Sequence, residues 1–244
     1  MTTERRIGRP DALDTLNVID LKQWIPVFPL PNTVLLPRAV VPLHIFEPRY
    51  RVMTADALGG SRLIALALLR PGYESRYQTL DAAIHDVVCI GRILREERLS
   101  GGRYNMLLQG LQRARVLKEN TEFPYRRGFM EMLSCETPDS SEESACRAAL
   151  RAARCRPSLL PLIEESRWLD SLDYPEPPLS DLVDVLAAAI VWDAEGKQAF
   201  LAETRVAART RMLCAALGTL ATELTGQADP RVWARAWPPA CSEN

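Results

Sequence analysis

Between residues 25 and 50 the chain carries prolines at 26, 29, 31, 37, 42 and 48 within an otherwise apolar run. Each proline fixes φ and removes a backbone donor, so no long helix can form there. What remains is short strands joined by tight corners, with prolines at strand starts, edges or bulges. That pattern predicts a small β-barrel. Pro48 is well placed to open a helix over residues 48–58, with Gly59 and Gly60 ending it.

Further β signals extend to about residue 133. Residues 62–69 form a continuous apolar run stopped by Arg70-Pro71-Gly72, which suits a buried strand, although its Leu and Ala content leaves a helix open. Residues 87–99 and 103–109 flank Ser100-Gly101-Gly102, a hairpin signal. In the second arm Tyr104, Met106 and Leu108 share one face and Asn105, Leu107 and Gln109 the other. Gly110 permits a corner before a segment at 114–117, and residues 125–133 supply another strand.

Around residues 136–143 the composition turns to Thr, Pro, Asp, Ser and Glu, a natural boundary. Helical patterns follow. Residues 145–155 are rich in Ala and Arg, and Pro157 stops them. Residues 157–179 hold five prolines among apolar residues and predict irregular packing or a short helix. Ser180 is placed to cap a helix over 181–191, and Asp193 to cap the next, with Phe200 and Leu201 facing the core. A last helix spans 205–224. The expected organisation is an arm at 1–20, a barrel at 21–135, helices at 142–226 and a tail at 227–244.

The formal net charge is −1, so nothing global draws the chain to nucleic acid or anionic membrane. Basic clusters at Arg5-Arg6, at Arg126-Arg127 and at Arg113, Arg115 and Lys118 have acidic neighbours and read as solvated surface. No signal peptide or spanning run is evident, and the six scattered cysteines read as reduced thiols, so a cytoplasmic protein is expected. With no Cys-x-x-Cys and only His44 and His85, no metal site is expected. No nucleophile elbow, phosphate-binding loop or dinucleotide fingerprint occurs, which argues against an enzyme and against any cofactor.

Several segments in the same order resemble the N-terminal, substrate-binding domain of Lon-type ATP-dependent proteases. They are Pro26-Val-Phe-Pro-Leu30, Val34-Leu-Leu-Pro37, Pro42-Leu-His-Ile-Phe-Glu-Pro-Arg-Tyr50 with Met53, Gly91-Arg-Ile93 and the run from Arg103 to Arg115. Asp193-Ala-Glu-Gly-Lys-Gln-Ala-Phe-Leu201 continues the likeness into the helices. The resemblance implies an α+β fold, a PUA-like β pseudobarrel followed by an α-helical bundle, and binding to polypeptide. No ATPase or proteolytic module accompanies it in this chain, so a stand-alone, non-catalytic form is expected, an adaptor in protein quality control.

The candidate peptide-binding residues are Phe46, Arg49, Tyr50, Arg51, Arg103, Tyr104 and Arg113. Phe46 and Tyr50 would line an apolar groove, and Arg49 or Arg51 would pair with a peptide carboxylate. The competing role for all of them is structural, as packing aromatics and surface cations. An open barrel edge offers unpaired N–H and C=O groups to an extended chain. Expected partners are unfolded or partner polypeptides, together with a separate protease or chaperone. The other readings are an RNA-binding PUA-like protein, which the near-neutral charge disfavours, and a small-ligand protein using a barrel pocket.

Overall fold

The computed structural model describes residues 24–154, 177–190 and 192–225. The arm at 1–20, the tail at 227–244 and most of the proline-rich 157–179 stretch lie outside those residues. Six strands come first: β1 (Ile25–Leu30), β2 (Val40–Ile45), β3 (Leu63–Leu68), β4 (Val87–Arg98), β5 (Tyr104–Asn120) and β6 (Arg127–Met132). Helix α1 (Pro48–Gly59) lies between β2 and β3. Then come α2 (Ser140–Arg154), α3 (Leu179–Ala189), α4 (Ala194–Ala202) and α5 (Val206–Thr225). The architecture is α+β, with strands preceding helices as expected.

The sheet order is β2-β5-β4-β3-β1-β6, and β6 pairs again with β5. Strands β5, β4, β3, β1 and β6 therefore close a ring, and β2 is left outside it against the first half of β5. All five ring strands contribute to one buried cluster: Val27, Ala65, Ile90, Ala114 and Met130 among others. This is the barrel interior, and its alanines suit a narrow lumen. β3 is buried along its whole length because its other face meets a second cluster. That cluster runs from Phe28, Tyr50 and Met53 to Val183, Phe200 and Leu213 of the helices. One apolar core thus continues from the barrel wall into the helical layer, burying enough surface to fasten the two together.

Local signals act largely as read. Pro48 occupies the first turn of α1, and the Gly60 N–H closes its far end on Ala57 O. Asp193 caps α4 by accepting from the Gly196 N–H. Four expectations need correction. Gly110 does not end a strand: β5 continues through it, with a register shift against β4 at the next residue, and an added Cβ would lie 2.1 Å from Leu36 O, so only glycine lets the two segments pass. Ser180 does not cap α3, which starts at Leu179 after Pro178. α2 begins at Ser140, where the Asp139 carboxylate accepts from the Ser141 and Glu142 N–H groups at 2.9 and 2.8 Å. Finally, Arg113 and Arg126 are buried rather than solvated.

Arg113 explains its own burial. Its side chain leaves the barrel wall and donates twice to the Asp184 carboxylate of α3, both at 2.7 Å, and once to Leu201 O at 2.9 Å. Arg209 of α5 places Nε 3.4 Å from the same carboxylate. Arg113 and Asp184 are each 2% exposed and Arg209 is 0% exposed. Burial works against the Arg113 charge, but the hydrogen bonds and charge of Asp184 outweigh it and hold its pKa above the usual arginine value. Gln198 Nε2 to Val87 O at 2.8 Å and Arg38 to Asp181 at 3.1 Å add further ties between strands and helices.

Candidate polypeptide-binding face

β4 leaves the ring at Arg92, its last residue paired with β3. Beyond it, the outer half of β4, the first half of β5 and all of β2 form a three-stranded extension. Alternation gives this extension two unlike faces. Ile45, Ile93, Tyr104, Met106 and Leu108 are buried with Tyr50 and Met53 of α1 in one cluster. The opposite face is open.

On the open face Pro42 and Leu107 stand directly across from each other, with Val40 two residues along β2. Leu94 occupies the bulge of β4 that faces Leu107. Val40 is 42% exposed, Leu94 49% and Leu107 38%. A polar row runs beside them across the strands: His44 Nδ1 to Asn105 Oδ1 at 2.7 Å, then Asn105 Nδ2 to Glu97 Oε2 at 3.3 Å. Phe46, 46% exposed, stacks on the His44 ring with centroids 6.0 Å apart. The row fixes the side chains around the apolar strip while leaving the strip itself open.

The strand edges are less receptive than the face. The Gly110 N–H donates to Ala39 O, which makes Val40 and Gln109 a non-hydrogen-bonded pair. Pairs alternate, so Val40, Pro42 and His44 all turn their backbone groups toward the free edge. Pro42 has no N–H, and the middle donor of the three is missing. The other free edge carries Arg95-Glu96-Glu97-Arg98, a charged run that discourages strand addition. An extended chain is therefore better received by side chains on the face than by backbone pairing at either edge.

The seven residues singled out in the sequence separate into distinct roles. Phe46 belongs to the open face. Arg103 is exposed and makes a local hydrogen bond to Ser100 O. Arg51 donates to Gly101 O and braces the β4–β5 turn. Arg49 is a clamp rather than a free cation: it donates to Glu47 Oε2 at 3.0 Å, Tyr77 O at 2.9 Å and Thr79 O at 3.3 Å. Its guanidinium lies 4.5 Å from the Tyr50 ring centre and 5.6 Å from that of Tyr77.

Three of the seven are corrected by burial. Tyr50 packs on Phe28 at 4.6 Å, and desolvation raises its phenol pKa well above the tyrosine norm. Tyr104 packs in one cluster with α1 and Arg113 is engaged by Asp184, so all three side chains are buried within the fold. Sequence reading passed over Leu94 and Val40. Leu107 was visible as an apolar residue on the polar face of β5, the one local signal of the strip. Among the described residues no His, Cys, Asp and Glu group is arranged to hold a metal, and no helix is long and apolar enough to cross a membrane.

Residues 24–218 match the model of the ATP-dependent protease La (LON) substrate-binding domain, and the chain belongs to that family. It is 24% identical over 204 residues to Lon protease 2 of Myxococcus xanthus, covering 81% of this chain and 24% of that protein. Lon protease 2 of Sorangium cellulosum is 28% identical over 197 residues, covering 80% and 24%. The chain spans about a fifth to a quarter of the length of such relatives. The fold also matches the N-terminal domain of a Mycobacterium avium complex Lon protease, with a TM-score of 0.60, 18% identity, and coverage of 80% of this chain and 98% of that one. A Lon N-terminal domain protein from Xanthomonas campestris matches with a TM-score of 0.54, 23% identity, and coverage of 79% and 98%.

Proposed function

We propose that this chain binds exposed segments of other polypeptides on the open face of its three-stranded extension, without catalysing a reaction on them. The observation that carries the reading is the strip of Val40, Pro42, Leu94 and Leu107 beside Phe46, held on a sheet whose other face buries Ile45, Ile93, Tyr104, Met106 and Leu108. Apolar side chains displayed on a rigid surface favour the apolar segments that misfolding exposes. Membership of a substrate-binding family supports the same direction. Binding per site is weak, because ordering a flexible segment costs conformational entropy. In this role the chain acts as an adaptor, presenting clients to a separate protease or chaperone. Free thiols at Cys89, Cys135 and Cys146 fit a reducing, cytoplasmic setting.

The test is fluorescence anisotropy with a labelled, permanently unfolded polypeptide, comparing the native chain with Leu107→Asp and with Val40→Asp. Both positions are exposed, so stability should hardly change while affinity falls about tenfold, equivalent to about 1.4 kcal/mol. Unchanged affinity in both variants would remove the face from consideration.

A further inference from the structure

Surface arginines of the barrel and helices are commonly paired: Arg38, Arg62, Arg70, Arg76, Arg115 and Arg205 each meet a carboxylate. Arg92, Arg95 and Arg103 do not. Among the described residues none of these three has an acidic partner, and the hydrogen bond their side chains make is Arg103 Nε to Ser100 O at 3.3 Å. All three belong to the open face. Arg92 stands across from Gln109, Arg95 across from Leu107, and Arg103 precedes Asn105 by two residues on β5. Arg92 marks the inner end of the apolar strip, where β4 leaves the ring, and Arg103 lies past its outer end. Gln109 and Arg103 are separated by roughly 20 Å of extended strand.

Little on this face offsets the three cations. Its carboxylate is Glu97, whose Oε2 accepts from Asn105 Nδ2 at 3.3 Å. The neighbouring Glu96 pairs with the buried Met106 across the strands and is held by Arg62. The chain as a whole is near neutral, at −1. The positive border is therefore local to the strip of Val40, Pro42, Leu94 and Leu107.

We propose that the polypeptides this face selects are apolar segments bordered by acidic residues, with Arg92, Arg95 and Arg103 setting that preference. The preference rests on the binding role proposed above and narrows it to one class of segment. An extended segment covers roughly 20 Å with about six residues. Its apolar side chains then meet Val40, Leu94 and Leu107, and carboxylates beyond them reach the arginines. The same border repels segments rich in lysine and arginine, so it discriminates by exclusion as well as by attraction. Exposed pairs add little affinity individually, and their effect falls on partner choice and encounter rate. A nucleic-acid backbone is a poorer match, because aliphatic side chains separate the cations and Glu97 lies among them.

The experiment uses fluorescence anisotropy of three labelled peptides that share one apolar core and are flanked on both sides by Asp, by Asn or by Lys. Each is titrated with the full chain at low salt and at about 1 M salt, where the screening length is about 3 Å. Expected at low salt is the affinity order Asp, Asn, Lys, with about tenfold between first and last, closing to about twofold at high salt. Arg95 and Arg103 are exposed, so the double variant Arg95→Glu, Arg103→Glu should fold and reverse the order. Arg205→Glu, between the last two helices, should leave the order unchanged. Equal affinity for the three peptides overturns the preference while the binding face stands; no saturable binding of any of them removes both. Tighter binding of a single-stranded RNA that displaces the Asp peptide gives the face to another occupant and overturns the proposal. Dimerisation of the chain that the double variant abolishes does the same.

Discussion

Replacing Asp184 by Asn keeps the side-chain shape and removes its charge, which isolates what that charge does. In the native chain the carboxylate accepts two charge-assisted bonds at 2.7 Å from Arg113 and lies 3.4 Å from Arg209. The substitution leaves two guanidinium groups buried without a counter-charge, at 2% and 0% exposure. Breaking a buried pair on one side costs about 3–5 kcal/mol, most of it the penalty of the stranded partner. That is a large share of the roughly 5–15 kcal/mol that holds a typical domain. The control is Asp181→Asn on the same helix, whose bridge to Arg38 is partly exposed. An exposed pair is worth about 0–1 kcal/mol. Urea unfolding followed by far-ultraviolet circular dichroism should move the midpoint down by about 1–2 M for Asp184→Asn, taking m near 2–3 kcal/mol/M. The Asp181 variant should shift by a small fraction of that. If the two variants lie within about 1 kcal/mol of each other, the joint is not held as described.

Gly110→Ala should destabilise by about 1–3 kcal/mol or more, since the new methyl would press on Leu36 backbone rather than on a flexible side chain; thermal unfolding measures it. The Glu203 carboxyl is held down to about 2, chiefly by the Arg205 hydrogen bond, against an ordinary value of 4.5. Its contribution is complete above about pH 4.5 and fades as pH falls through about 2, so Glu203→Gln should flatten the acid limb of a stability profile within that window. Arg49→Met should free the β3–β4 loop from α1, by loss of its bonds to Tyr77 O and Thr79 O. Limited proteolysis should then cut near residues 77–79 sooner, with α1 itself intact.

What the sequence made legible was local chemistry. Proline at 48, the glycines at 101 and 102 and the aspartate at 193 act within a few residues of themselves, and each marks the element it was read to mark. The misreadings have a common physical origin in distant partners. Gly110 resembles a corner until Leu36 is known to pass over it. Arg113 resembles surface charge until Asp184, 71 residues away, is brought against it. Asp184 itself only interrupts an apolar run when read along the chain. Tyr50 and Tyr104 were rightly aromatic and apolar in character, but which face of the sheet turns to α1 depends on β2 pairing with β5, a choice with no local marker. The strip on the open face was half legible for the same reason. Leu107 stands out within β5, yet its meeting with Val40, Pro42 and Leu94 follows from strand order.

The measurement closest to the central claim is methyl nuclear magnetic resonance of the chain titrated with an unfolded polypeptide. Binding on the open face predicts progressive shifts at the methyls of Val40, Leu94 and Leu107, with the buried Leu66 and Leu213 unmoved. Shifts confined to the helices, or saturable binding with those three methyls unperturbed, would contradict the account.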